Sequence, residues 1–128
     1  MATMTLTAVG AASPDTAWQR YVLLDQWPRW APHIRTVRAE GRETVPGLRG
    51  RIESVVGVRA AFVVEDVDHG ARQWAWRVRS GPVRLWLCHG VRAHPRGSAT
   101  WLTMRGALPV LAAYAPLARI ALGRLVRA

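Results

Sequence analysis

Lysine is missing from this chain: all 18 basic residues are arginine, set against eight acidic ones. Cysteine occurs once, at Cys88, which excludes an intrachain disulfide and any cysteine-rich zinc site. A lone cysteine inside a strand reads as a small packing residue rather than a nucleophile. Histidine is sparse too. His33, His69, His89 and His94 show neither the i, i+4 helical spacing nor the neighbouring Cys and Asp partners of a familiar metal site. Neither a metal nor a cofactor is therefore expected. No uninterrupted apolar run reaches the roughly 18 to 20 residues that cross a bilayer, so no membrane insertion is expected. The N-terminus, Met1-Ala-Thr-Met-Thr, lacks the basic and apolar regions of a secretory leader, and the expected location is the cytoplasm. No segment is of low complexity. With 128 residues there is room for one core and no separate cofactor domain, so a single domain over 1–128 is expected.

The formal charge of +10 invites a nucleic-acid reading, because clustered cations release counterions from phosphates. The arginines are, however, scattered from Arg20 to Arg127, with no stripe, basic arm or recognition helix. Arginine without lysine, beside abundant alanine and valine, matches the codon bias of a GC-rich, bacterial type of genome. No specific nucleic-acid partner is expected, and the charge reads as a solubility and adhesion term.

What stands out instead is Asp25-Gln26-Trp27-Pro28-Arg29-Trp30-Ala31-Pro32-His33-Ile34. Two tryptophans three apart, each followed within two residues by proline, form a compact aromatic plug. Pro28 and Pro32 restrict themselves and their predecessors, leaving room for about one helical turn. Such a plug is expected to close the mouth or end of a curved sheet around a cavity.

Thr3 to Val9 reads as a first strand. Ser13-Pro14-Asp15-Thr16 then starts a helix: Ser13 caps, Pro14 suits the first helical position, and Asp15 complements the helix dipole. That helix carries Trp18, Tyr21, Val22 and Leu24 and is expected to end near Asp25. Beyond the plug, turn signals at Pro46-Gly47, Asp68-His69-Gly70, Ser80-Gly81-Pro82 and Pro95-Arg96-Gly97 separate strands predicted near 34–40, 49–55, 59–67, 73–79, 83–93 and 98–105. Short turns between consecutive strands imply an antiparallel meander. Pro109 to Val126 returns to helical periodicity, with Leu111, Tyr114, Ala118, Ala121 and Leu125 on one arc and Arg119, Arg124 and Arg127 opposite. Pro116 is expected to kink this helix, whose apolar face needs the concave side of the sheet.

Taken over residue 4 to the end, the chain resembles the SRPBCC superfamily, the helix-grip fold of birch-pollen-allergen-like proteins, START domains and polyketide cyclase/dehydratase-like proteins. The resemblance is carried by Ser13-Pro14-Asp15-Thr16-Ala17-Trp18, by Leu24-Asp25-Gln26-Trp27-Pro28-Arg29-Trp30, by Gly47-Leu48-Arg49-Gly50 and by the terminal helix. It implies an α+β fold, with a curved seven-stranded antiparallel sheet wrapped around a long C-terminal helix and two short helices after the first strand. It further implies binding of a small or medium apolar molecule between sheet and helix, with catalysis in some branches only.

Strand alternation names the residues that would line such a cavity. In 83–93, Val83, Leu85, Leu87, His89 and Val91 share the inner face, while Arg84, Trp86, Cys88 and Arg92 mark the outer one. Trp74, Trp76 and Val78 point inward opposite Arg77 and Arg79. Thr100, Leu102 and Met104 point inward opposite Arg105, and Phe62 and Val64 complete the wall. With Trp30 from the plug and Leu111, Tyr114 and Ala118 from the helix, the lining suits a flat apolar or aromatic ligand. The competing reading is a solid core filled by Trp30, Trp74 and Trp76. The alanines at 112, 113, 115, 118 and 121 favour open space.

Three functions follow. The first is binding of an apolar, aromatic or polyketide-like small molecule. The second is an aromatase/cyclase or dehydratase, with His89 as acid or base and Tyr114 or Thr100 as donor, because removing an α-proton from a poly-β-keto chain needs a base and a polarising donor. The bland reading of His89 is a core histidine satisfied by a backbone carbonyl. The third is a protein-interaction module, or homodimer surface, using outward Trp86 and Trp101 unless arginines stack over them. His33 is placed at the entrance or on the surface, and His69 and His94 in solvent.

Overall fold

A computed structural model describes residues 1–128, and β-branched and apolar alternation appears in it as seven strands. They are β1 (Ala2–Gly10), β2 (Ile34–Ala39), β3 (Arg49–Ser54), β4 (Arg59–Asp68), β5 (Gln73–Ser80), β6 (Val83–His94) and β7 (Gly97–Gly106). All pair antiparallel in one sheet of order β1-β7-β6-β5-β4-β3-β2. The meander therefore runs unbroken from β2 to β7, and β1 is added at the β7 edge. Bulges interrupt the register between Ile34 and Thr36 and between Val64 and Asp66.

Between β1 and β2 lie helix α1 (Pro14–Val22), a 3-10 turn over Leu24–Gln26 and helix α2 (Trp27–Trp30). Ser13 caps α1, its hydroxyl accepting from the Thr16 N–H at 3.1 Å, worth about 1 kcal/mol. The helix stops at Val22, three residues short of the expected end, because Leu23 turns extended. The single turn of α2 carries Pro28 near its start, where the missing N–H costs nothing. The long helix α3 (Leu108–Leu125) runs across Pro116, which sits on its exposed side.

Helix α3 packs on β1 and β7 and against α2, burying Leu111, Ala118, Ala121, Leu122 and Leu125. By length and mean hydropathy (1.3) it would pass as a membrane span, and 28% of it is buried inside the fold. Ala112 and Ala113 are exposed, so of the small side chains on the helix only Ala118 and Ala121, with Ala115 partly buried, face the interior. The opposite arc keeps Arg119 and Arg124 in solvent beside exposed Leu117 and Ile120.

The aromatic plug does not lid the sheet from outside. Trp27 is fully buried, wedged against Phe62, Trp74 and Trp76 with ring centroids 5.5, 5.6 and 5.1 Å away. Its indole N–H donates to the Tyr21 carbonyl at 2.9 Å, and that of Trp30 to the Arg20 carbonyl at 2.8 Å. Both indoles are thus tied to the backbone of α1. Gly50 on β3 makes room for this packing, since a Cβ there would stand 2.6 Å from the Phe62 ring.

The outer face of the sheet is a different surface. Register places Arg38 opposite Arg51, Arg79 opposite Arg84, Arg77 opposite Trp86, and Trp86 opposite Arg105. Arginines scattered in the sequence are therefore gathered on one face, contrary to the expectation that they form no patch. Trp86 is half-buried under the Arg105 guanidinium, 5.0 Å from the ring, and its N–H donates to Glu65 at 2.9 Å. Trp101, also half-buried, lies across Gly90, where a Cβ would meet it at 2.2 Å. The two tryptophans are covered by their neighbours rather than forming an exposed aromatic patch. Val83, assigned inward, is 38% exposed because it starts its strand beyond the edge of the core.

Candidate functional site

The inner wall is built by β4 to β7. Phe62, Val64, Trp74, Trp76, Leu87, His89, Thr100, Leu102 and Met104 are all buried, as are Trp30, Leu111 and Ala118 opposite them. Leu85 and Tyr114 are partly buried. Strand alternation brings these side chains to one face, where the apolar ones join one buried cluster.

At the centre is an aromatic stack. Trp74 lies nearly parallel to His89, with centroids 4.9 Å apart and planes 12° apart, and it stacks on Trp76 at 5.1 Å. Tyr21 of α1 approaches the His89 ring at 4.9 Å. His89 Nδ1 is 3.2 Å from the Tyr21 hydroxyl, which lies 2.6 Å from Thr100 Oγ1, and the Thr100 hydroxyl donates to the Gly90 carbonyl at 2.8 Å.

This chain fixes the histidine tautomer. The Gly90 carbonyl can only accept, so the single Thr100 proton goes there; Tyr21 must then donate to Thr100, and His89 Nδ1–H donates to the Tyr21 oxygen. Nε2 is left with a bare lone pair, buried and without a partner. Burial drives His89 down to about 3, so the ring is neutral near pH 7. Burial also lifts the Tyr21 phenol above its ordinary range, against a smaller lowering by the hydrogen bond to Thr100.

Two further nitrogens of the stack, Trp74 Nε1 and Trp76 Nε1, are buried and unpartnered. An indole nitrogen is a donor only, and an unmet buried donor costs about 1–3 kcal/mol. Two donors and one acceptor without partners thus sit within one cluster of apolar rings.

Tyr114 stands apart from His89. Its hydroxyl is 3.1 Å from His33 Nε2, the two rings meeting edge-on at 88°. Burial pushes the Tyr114 phenol up to about 12 and lowers His33, so both are neutral around pH 7. The structure therefore gives two tyrosine–histidine pairs, Tyr21–His89 and Tyr114–His33, in place of a His89–Tyr114 pair. His33 is half-buried between α2 and α3 rather than on the surface. His69, expected in solvent, is exposed but accepts from the Trp18 indole at 3.1 Å. Cys88 is buried on the outer face, and burial, helped by the charge of Asp66, raises its thiol, which keeps it protonated.

Sequence reasoning passed over Tyr21 and Trp27 as members of this site. Tyr21 was legible as part of the 17, 18, 21, 22 buried arc of α1, but which strand residue its hydroxyl meets depends on how α1 crosses β6 and β7.

The chain belongs to the family described as polyketide cyclase / dehydrase and lipid transport, which matches residues 1–128, and so to the SRPBCC superfamily. Among solved structures it is similar to XoxI from Bacillus cereus (TM-score 0.83, 16% identity, 98% of this chain and 94% of that one). It is also similar to Ara h 8.0201 (TM-score 0.73, 12% identity, 97% of each chain). A third relative in structure is the di-domain ARO/CYC BexL from the BE-7585A biosynthetic pathway (TM-score 0.81, 17% identity), of which 45% is covered by 98% of this chain. At these identities the likeness is one of fold. Among curated proteins none matches the chain.

Proposed function

We propose that this protein binds a small apolar molecule, aromatic or polyketide-like and bearing at least one oxygen, between the inner face of the sheet and α3. The observation that carries the reading is the trio of buried, unpartnered ring nitrogens on Trp74, Trp76 and His89. A carbonyl or hydroxyl oxygen of a flat ligand would accept from an indole N–H, and a hydroxyl could donate to His89 Nε2, while its rings replace aromatic contacts already of the right kind. Family membership supports the same reading. Trp27 now covers Trp74 and Trp76, so admitting a ligand requires the one-turn α2 segment to shift.

Native mass spectrometry of freshly purified protein, against its denatured mass, is the direct test. A retained apolar compound supports the reading and names the ligand class. Titration with a hydroxyanthraquinone, followed by tryptophan fluorescence, should show saturable binding that Trp76→Ala weakens by about tenfold or more through loss of stacking area. Saturation that is unchanged in a folded Trp76→Ala variant sinks the assignment.

A second reading, a cyclase or dehydratase, is favoured by one observation: the Gly90–Thr100–Tyr21 chain presents His89 as a neutral base with Nε2 free. Desolvated by burial, that base is weak, so ligand entry would have to bring back polar surroundings before it could take an α-proton. His89→Ala should then abolish turnover, a far larger loss than the weakening of affinity from one missing hydrogen bond. Equal turnover in wild type and variant removes His89 from any mechanism.

A further inference from the structure

A concavity of about 1130 Å³ is not walled by α3. It opens on the outer face of the sheet. Its floor is Ala61 and Val63 of β4, flanked by Arg49 and Arg51 of β3 and by Arg77 and Arg79 of β5. Arg38, Arg84 and Arg105 complete the rim, making seven arginines around one hollow. Small side chains on β4 between two long-armed strands create the depression.

Charge on this face is unbalanced. Of the seven, only Arg77 makes an ion pair, with Glu65 at 2.5 Å; the other ion pairs of the molecule, Arg59–Glu53 and Arg72–Asp15, use none of them. Glu40 is the single acidic residue on the rim. Arg38 and Arg51 stand directly opposite each other across the ladder, and so do Arg79 and Arg84. Like charges in those positions destabilise a sheet, so the free protein carries a strain that an anion would relieve.

We propose that this hollow is a second binding site, for the phosphate chain of a small polyphosphate-bearing molecule such as a nucleoside triphosphate. Guanidinium forks recognise phosphate oxygens two at a time, and several converging on one hollow match a chain of phosphates rather than a single anion. The volume suits a ligand of nucleotide size. A lipid surface fits less well, because the strongly exposed apolar side chains Val55, Val56, Val58, Leu108, Leu117 and Ile120 lie on the β3–β4 turn and on α3, and Met1 alone of the exposed apolar residues borders the hollow. Gly50, Phe62, Val78 and Leu85 also line the hollow, so β3 to β6 contribute residues both to it and to the inner wall.

Calorimetric titration with inorganic tripolyphosphate and with ATP, at about 0.15 M salt to suppress loose association, tests the proposal. One-to-one binding is expected. The triple variant Arg51→Gln, Arg79→Gln, Arg84→Gln should weaken it by about tenfold or more, while Arg96→Gln, Arg119→Gln, Arg124→Gln, which removes the same charge elsewhere, should change it less than about twofold. Tighter binding of ATP than of tripolyphosphate assigns the whole nucleotide, and equal binding assigns the phosphate chain alone; both keep the site. Equal losses in the two triple variants, or no binding of either probe, overturn it. Affinity that is weak for both probes but climbs with single-stranded oligonucleotide length over roughly 6 to 16 nucleotides overturns it in favour of a nucleic-acid surface. Should the rim triple fail to fold, the melting temperature of the wild-type protein decides: it must rise with tripolyphosphate beyond the rise given by sodium chloride of equal ionic strength, and equal rises overturn the proposal.

Discussion

The two faces of β5 and β6 are made from the same two strands, of 8 and 12 residues, yet they share almost no chemistry. Inward, Trp74, Trp76, Leu87 and His89 are buried and stacked, and each polar atom either belongs to a fixed hydrogen-bond chain or is left without a partner. Outward, Arg77, Arg79 and Arg84 reach into solvent, and the half-buried Trp86 is satisfied by Glu65 and Arg105. The inner face gains stability from area and shape, and it tolerates a titratable group only as a neutral ring. The outer face gains little from packing, and its cross-strand arginine pairs work against it. The teaching is that the period of two lets one ribbon carry a stability element and a charged recognition surface at once, because neither set of side chains touches the other.

The largest break in that contrast should come from Trp27→Ala, which empties the inner face of its wedge; about 3–5 kcal/mol of stability should go, read from urea unfolding, with little change expected for Arg77→Ala beside it. Acid should act on the inner face as well. His89 is held at about 3 against 6.5 in the unfolded chain, so as pH falls the unfolded chain takes the proton first. Stability owed to the neutral ring is whole above about pH 6.5 and declines toward pH 3 by up to about 1.4 kcal/mol per unit, His33 acting in the same direction. In His89→Gln the urea midpoint should vary less between pH 7 and pH 5 than in the wild type; an unchanged slope would show that His89 is not buried neutral. A smaller effect is expected from Gly90→Ala, whose methyl group strikes the Trp101 ring: about 1–3 kcal/mol lost, visible as a lower melting temperature. Smallest, and of opposite sign, is Arg79→Gln. Relieving the pair with Arg84 should stabilise the free protein by a few tenths of a kcal/mol, about the size of a cross-strand pair, and the gain should shrink as salt is raised.

How much of this was legible in the sequence differs by residue. Ser13-Pro14-Asp15 announced α1, and the turn signals placed six strands to within about two residues, since cap and turn chemistry is local. The inward set on β4 to β7 followed from alternation. Its partners did not: Tyr114 looked suited to His89 on the helical arc, but α3 lies over β1 and β7 and gives Tyr114 to His33, while α1 delivers Tyr21 instead. Trp27 and Trp30 were visible as a plug, yet whether they cap or fill is decided by the indole hydrogen bonds to the α1 backbone.

The sequence by itself determined the order of elements, the apolar inner face and the excess of arginine, because each depends on neighbours within a few positions or on a simple count. Only the tertiary structure decided which histidine meets which tyrosine, which ring nitrogens go unpaired, and that arginines distant along the chain converge around one hollow. Those depend on strand register and helix placement, which bring together residues dozens of positions apart, and no local pattern encodes the distance between them.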